Sequence, residues 1–224
     1  MIKKAIIFDL DGTLLDTLED IANSVNYVLL KYQKESIEVE KYRYLVGSGA
    51  LKLIQDVLPQ ESEESIKNAL SIFEKHYATQ YDKNTKLYDG IAKLLTFLQK
   101  RGVQMAILSN KPDSFTKLCA LKYLRNWKFE AVYGIRKGIP RKPDPAGALE
   151  IMKELHVEPS ECLYMGDTKT DMITAKSANI DSIGVLWGFR DKDELEQYGA
   201  KYISTSPVEA IKLISNLGVC QTHP

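Results

Sequence analysis

Asp9 and Asp11 are the residues of this chain whose type and spacing point most directly to chemistry. They follow the apolar run Ile6-Ile7-Phe8 and precede Gly12 and Thr13. So short an apolar run reads as a buried strand in the middle of a sheet. A spacing of two on a strand sets both carboxylates on one face, where the strand ends. Two like charges there repel, and burying them unpaired is costly or forces one to take up a proton. A divalent cation resolves that conflict, and so does giving the two groups different protonation states.

Three further signals follow in order: Ser109-Asn110, Lys142-Pro143-x-Pro145 and Gly166-Asp167-x-x-x-Asp171. Alone, each has a plain reading as a turn, a solvated lysine or a helix cap. All of them, however, fall at the ends of predicted strands or in the loops that follow. As a set they suit phosphoryl transfer, with Asp9 as the nucleophile that forms an aspartyl-phosphate. A carboxylate attacking a phosphate monoester meets repulsion, which Mg²⁺ held by oxygen ligands removes. The candidate ligands are the carboxylates of Asp9 and Asp167 and the backbone carbonyl of Asp11. Asp171, one helical turn beyond Asp167, is placed to accept from metal-bound water or from Lys142. Ser109 and Lys142 would bind phosphoryl oxygens, with backbone N–H groups near Leu10, Asp11 and Asn110. Gly12 suits a sharp turn beside the ligand, and Thr13 and Asn110 complete the expected substrate contacts. Asp11 would protonate the departing alkoxide and later deprotonate water, help typically worth about 10²–10⁴-fold.

The elements that must position these groups follow from periodicity. Strands are expected at Ile6–Phe8, Val103–Leu108, Ala131–Tyr133, Cys162–Met165 and Ser182–Leu186. Helices are expected at Ile91–Gln99, Pro112–Leu124, Pro145–Leu155, Thr168–Ala178 and Ser206–Leu217. Strand and helix in alternation give an α/β fold, a Rossmann-like core whose parallel sheet is covered on both faces. Such sheets bind ligands beyond the carboxyl ends of their strands, where strand order reverses. Between the first strand and residue 84 the pattern is helical throughout, without a strand. The predicted organisation is therefore a core of residues 1–16 and 84–224 and an inserted helical domain of residues 17–83.

Composition narrows the classes. Of 224 residues, 44% are hydrophobic and 27% charged, and the formal net charge is zero, with lysine and arginine scattered. No basic stripe exists for a nucleic acid polymer. Cys119, Cys162 and Cys220 lie far apart, which argues against a disulfide framework and a zinc site. The apolar run after Lys3-Lys4 breaks at Asp9, too soon for a signal-peptide core, and no stretch reaches transmembrane length. A cytoplasmic protein acting on a small phosphorylated metabolite, as monomer or homodimer and without a membrane partner, is expected.

In this order, with a helical insertion after the first, the four motifs resemble the haloacid dehalogenase-like hydrolase superfamily over essentially the whole chain. The resemblance implies a Rossmann-like core, a mobile helical cap, Mg²⁺ dependence and an aspartyl-phosphate. Carried onto this sequence, it makes Asp9 the nucleophile and Asp11 the acid/base. Ser109 and Lys142 become the phosphate ligands, and Asp9, Asp11 and Asp167 the metal ligands. The second carboxylate at Asp11 matches the phosphatases and disfavours carbon–halogen hydrolysis. Val46-Gly47-Ser48-Gly49-Ala50, Ser109-Asn110-Lys111 and Gly184-Val185-Leu186-Trp187-Gly188 are similar to the phosphoglycolate phosphatases within it. Two readings of Gly47, Ser48 and Gly49 stand together: open N–H groups for a substrate anion, or an ordinary turn. Arg43 would supply a second anion contact, while Arg190 reads as an exposed surface arginine. Phosphomutase, nucleotidase or pyrophosphatase activity shares the same chemistry. A phospho-accepting signalling module fits poorly, being shorter and without a helical insertion.

Overall fold

The computed structural model describes residues 2–219, so Cys220 lies outside the described residues. The apolar run after Lys4 forms β1 (Ala5–Phe8), every residue of it buried. Its side chains alternate between the two faces of the sheet. Ile6 and Phe8 join one apolar cluster, which contains Leu94, Leu98 and Ile214. Ala5 and Ile7 join another, with Ala148, Ile151 and Ala175. A strand apolar on both faces requires cover on both sides.

Beyond β1 come β2 (Leu15–Asp16), α1 (Leu18–Lys31), a 3-10 turn (Val39–Tyr44), α2 (Ala50–Val57), α3 (Glu63–Gln80) and β3 (Lys86–Leu87). The alternating part follows: α4 (Ile91–Lys100), β4 (Gln104–Pro112), α5 (Asp113–Tyr123), β5 (Ala131–Ile135), α6 (Ala146–Leu155) and β6 (Cys162–Gly166). It closes with α7 (Lys169–Ser177), β7 (Asp181–Val185), α8 (Lys192–Gln197), β8 (Tyr202–Ser204) and α9 (Pro207–Asn216). Six strands form one sheet in the order β5-β4-β1-β6-β7-β8, every neighbouring pair parallel. From β1 the chain builds outward first through β4 and β5, then through β6 to β8. Strand order therefore reverses at β1, where such sheets bind ligands.

The structure departs from the periodicity reading in three places. β2 and β3 pair antiparallel, Leu15 opposite Leu87 and Asp16 opposite Lys86, where the chain leaves and re-enters the sheet domain. Two-residue strands carry no readable pattern. β4 continues past Leu108 to Pro112, with a register irregularity against β5 between those residues. The short polar α8 and the three-residue β8 also escape any periodic signal.

Helices α1 to α3 and the 3-10 turn surround an apolar cluster of their own, including Val25, Leu53, Ile54 and Phe73. Ser62 caps α3, its hydroxyl accepting from the Ser65 N–H, with Glu63 and Glu64 in the first turn, all favourable at a helix N-terminus. The two chain crossings are tied together by Asp20 of α1, which is buried. Its carboxylate accepts from the backbone N–H groups of Asn84 and Thr85, the Asn84 amide and the Thr85 hydroxyl, at 2.7–3.1 Å. Among the described residues no helix is long and apolar enough to cross a membrane.

Candidate active site

Phe8 ends β1 level with Ile107 of β4 and Met165 of β6. Asp9 just beyond β1, Ser109 where β4 turns irregular after Leu108, and Asp167 just beyond β6 therefore converge. The Asp9 N–H still donates to the Met165 carbonyl at 2.9 Å, which fixes where its side chain leaves the sheet. Asp9 Oδ1 accepts from the Leu10 N–H at 2.7 Å and meets Lys142 Nζ at 2.9 Å. Among the described residues nothing donates to Oδ2, and Asp9 lines a cavity.

Lys142 also donates to Asp171 Oδ1 at 2.7 Å. Asp171 Oδ2 accepts from the N–H and the hydroxyl of Thr168, at 3.0 and 2.8 Å, closing the first turn of α7 as a capping box. Both Asp171 oxygens are thus engaged, and the residue positions Lys142. Asp167 accepts from the Thr13 hydroxyl at 2.9 Å and from the Phe189 N–H at 2.8 Å, one bond on each oxygen. Gly12 turns beneath it at φ +86°, and a Cβ there would lie 2.2 Å from Asp167 Oδ2. Only glycine fits this approach.

Carboxylate oxygens of Asp9, Asp167 and Asp171 lie within 4.8 Å of one another, all three buried. Three carboxylates against the single ammonium of Lys142 leave two negative charges unbalanced. Burial first, then repulsion from Asp171, raise the Asp9 carboxyl well above the usual range, against the pull of Lys142. Burial and Asp171 push Asp167 up to about 7, against the bonds from Phe189 and Thr13. Burial disfavours the Lys142 charge, but Asp171 and Asp9 outweigh it and hold its ammonium well above the ordinary range. A hard divalent cation fits this donor set: all oxygen, doubly negative, with unclaimed lone pairs on Asp9 and Asp167.

Asp11 corrects the opening expectation. Its carboxylate lies outside the acidic cluster and pairs with Lys111 Nζ, at 2.8 and 3.1 Å to its two oxygens. The like-charge conflict is therefore between Asp9, Asp167 and Asp171, and Asp11 has its own counter-ion. Lys111 stands in the irregular stretch of β4, and its N–H donates to Ser109 Oγ at 3.2 Å. Such irregularities re-aim side chains, and here Lys111 is turned toward β1. Its Nζ also sits 4.7 Å from the centre of the Tyr77 ring.

Two other expected substrate contacts are committed elsewhere. Thr13 gives its hydroxyl to Asp167. Asn110 uses its amide to bridge the carbonyls of Gly47 and Lys142, both at 3.0 Å. Gly47 and Gly49 line the cavity, and Ser48 between them does not. Arg43 donates to the Gly188 carbonyl instead of facing the cavity. Arg190, read as exposed, is 8% exposed and donates to the carbonyls of Tyr44 and Val46 at 3.2 and 3.0 Å. Sequence reasoning missed Lys111, Tyr77, Thr168 and Phe189 as site residues. Two had a usable signal: Lys111 closes the Ser109-Asn110-Lys111 motif, and Thr168 opens the Thr-x-x-Asp capping pattern ahead of α7.

A family model for haloacid dehalogenase-like hydrolases matches residues 6–185, and the chain belongs to that family. It is similar to a phosphoglycolate phosphatase from Colwellia psychrerythraea, 34% identical over 207 residues that cover 89% of this chain and 92% of that protein. Phosphoglycolate phosphatase 1 of Pseudomonas aeruginosa is 31% identical over 192 residues, covering 83% of this chain and 70% of its own length. A solved structure of a predicted phosphatase from Clostridium acetobutylicum superposes with a TM-score of 0.87 at 28% identity, over 96% of this chain and 100% of that one.

Proposed function

We propose that this protein is a Mg²⁺-dependent phosphatase of small phosphate monoesters, with 2-phosphoglycolate the first substrate to test. The observation that carries the reading is Asp9, whose Oδ2 has no donor among the described residues and which lines a cavity while bonded to Lys142 within an acidic cluster. Asp9, Asp167 and the Asp11 carbonyl would hold the ion, which supplies the positive charge that lets an anionic nucleophile approach a phosphate.

In this reading Asp9 Oδ2 bonds to phosphorus as the ester P–O bond breaks, and the departing alkoxide takes a proton from Asp11. Lys111 then faces the carboxylate that remains. In the second half Asp11 takes a proton from water, whose oxygen bonds to phosphorus and releases Asp9 and inorganic phosphate. Ser109 and Lys142 orient the phosphoryl oxygens. The cavity measures about 50 Å³. A single water needs roughly 10–15 Å³, so a two-carbon ester fits this reading better than a nucleotide. Residues 17–83 act as the cap over a core of 1–16 and 84–224, excluding water during the first half-reaction. The buried free thiols of Cys119 and Cys162 support a reducing, cytoplasmic setting.

The test is phosphate release from a panel of phosphorylated metabolites, with Mg²⁺ and with chelator. Wild type is expected to release phosphate only with the metal. Asp9→Asn should lose at least about 10³-fold in kcat, on the scale of losses for catalytic groups, while its circular dichroism stays unchanged. Full turnover by Asp9→Asn would remove the nucleophile from this reading. Transfer of the phosphoryl group back to substrate would convert it to a mutase.

A further inference from the structure

The cavity beside Asp9 has two chemically different sides. Its core side carries Asp9, Asp11 and Asn110, with Lys142 behind Asp9. Toward the helical insertion it is lined by Ile21, Leu53, Phe73 and Phe115, with two polar exceptions, Lys111 and Tyr77.

Among the described residues Lys111 is the only cation lining this cavity, since Lys142 faces Asp9 and Asp171 and Arg43 is turned to Gly188. Its ammonium has three N–H groups. With two directed at Asp11, the third finds no carboxylate or carbonyl in the hydrogen bonds of the described residues, only the Tyr77 ring, whose centre is 4.7 Å from Nζ. Tyr77, from α3, is 2% exposed, and its hydroxyl is buried without a hydrogen-bond partner. Burial raises the phenol well above its ordinary range, so it keeps its proton and can only gain by donating. A buried donor without an acceptor is costly. Two such donors, one charged and one neutral, meet in one small apolar cavity, on opposite sides of the boundary between sheet domain and helical insertion.

We propose that Lys111 and Tyr77 form a subsite for a carboxylate carried by the leaving group of the substrate. The inference rests on the phosphatase reading above and deepens it, assigning recognition of the leaving group to side chains of β4 and α3. An apolar leaving group would leave both donors unmatched. A carboxylate accepts from both at once and spans the sheet domain and the helical insertion.

The experiment compares kcat/KM for 2-phosphoglycolate, for its uncharged near-isostere 2-phosphoglycolamide and for p-nitrophenyl phosphate. Wild type, Lys111→Met, Lys111→Arg and Tyr77→Phe are measured with Mg²⁺. Wild type should prefer the carboxylate over the amide by about 10–100-fold, the range of a charge-assisted buried hydrogen bond. Lys111→Met should bring that ratio to within about threefold of unity, Lys111→Arg should keep part of it, and Tyr77→Phe should lower it about fivefold through KM. If Lys111→Met slows both esters by one factor, Lys111 acts only through Asp11 and the subsite is overturned. Tyr77→Phe, which removes a single oxygen, decides the matter if Lys111→Met does not fold: an unchanged ratio overturns the proposal. Wild type that cleaves p-nitrophenyl phosphate but does not favour the carboxylate also overturns the subsite, leaving the phosphatase reading intact. Failure on every ester with Mg²⁺ removes both.

Discussion

Chelating divalent ions while raising the pH should destabilise this protein, with a sign opposite to that of an ordinary paired carboxylate. Asp167 is pushed up to about 7 in the folded chain, whereas an unfolded aspartate titrates near 3.9. Between those values the folded state holds a proton that the unfolded state has lost. Stability is therefore fully present below about pH 4 and declines as pH rises to about 7. The slope is about 1.4 kcal/mol per pH unit, and over that interval Asp167 alone removes on the order of 4 kcal/mol. Asp9, raised by the same causes, adds in the same direction. At about 2–4 °C per kcal/mol for a chain of this length, the unfolding midpoint should fall by roughly 10 °C. A cation bound by these oxygens removes the repulsion, and at a hundred times its Kd it adds about 2.7 kcal/mol. The assay is thermal unfolding from pH 4.5 to 8 in EDTA and in MgCl₂, for wild type and Asp167→Asn. His76, lowered by burial, has the opposite slope, but the difference between the two proteins removes it. Equal slopes for both proteins in EDTA, or a Mg²⁺ effect that does not grow with pH, would refute the electrostatic account of the cluster.

Two further substitutions test the supports of the site. Gly12→Ala should cost about 1–2 kcal/mol from backbone conformation alone. It should also raise the Mg²⁺ concentration needed for activity, because the new Cβ must displace Asp167; an unchanged Mg²⁺ titration would contradict that. Asp20→Ala should cost about 3 kcal/mol in urea unfolding, since it leaves the buried Thr85 donors and two further donors of Asn84 without their acceptor. A loss below about 1 kcal/mol would mean that the two crossings are held by the β2–β3 pairing instead.

What could be read in the sequence was whatever a strand end announces. Asp9, Ser109 and Asp167 each follow an apolar run, and three parallel strands held in register bring them together whatever the loops do. Gly12 is legible because an acidic pair followed by glycine leaves few backbone options. The partner of Asp11 is not legible, because Lys111 lies a hundred residues away and faces it only through an irregularity in β4. Thr13 and Asn110 are typed correctly as polar residues near the site. Which acceptor each one reaches depends on how Asp167 and the Gly47 carbonyl are held, and no local spacing encodes that. Arg190 misleads for the same reason: its pattern is that of a surface residue, and its acceptors are carbonyls of Tyr44 and Val46.

Arg190 ends a short loop, Trp187 to Arg190, which bonds on one side to Asp167 and the Thr13 carbonyl and on the other to the helical insertion. The Trp187 indole donates to the Thr13 carbonyl at 2.9 Å. Gly188 presses so closely on Asp167 that a Cβ would lie 2.3 Å from the Asp167 Cβ, while its carbonyl accepts from Arg43. The Phe189 N–H holds Asp167, and its ring packs in the apolar cluster of α1 to α3. Arg190 then grips residues 44 and 46. The bonds from arginine to carbonyl are directional and reform easily with water once exposed. A buried phenylalanine ring is different, because withdrawing it exposes apolar surface at roughly 25 cal/mol per Å². The ring and the N–H that holds Asp167 belong to one residue. A motion that drew the insertion away from the sheet would have to withdraw this ring or pull on the donor that fixes Asp167.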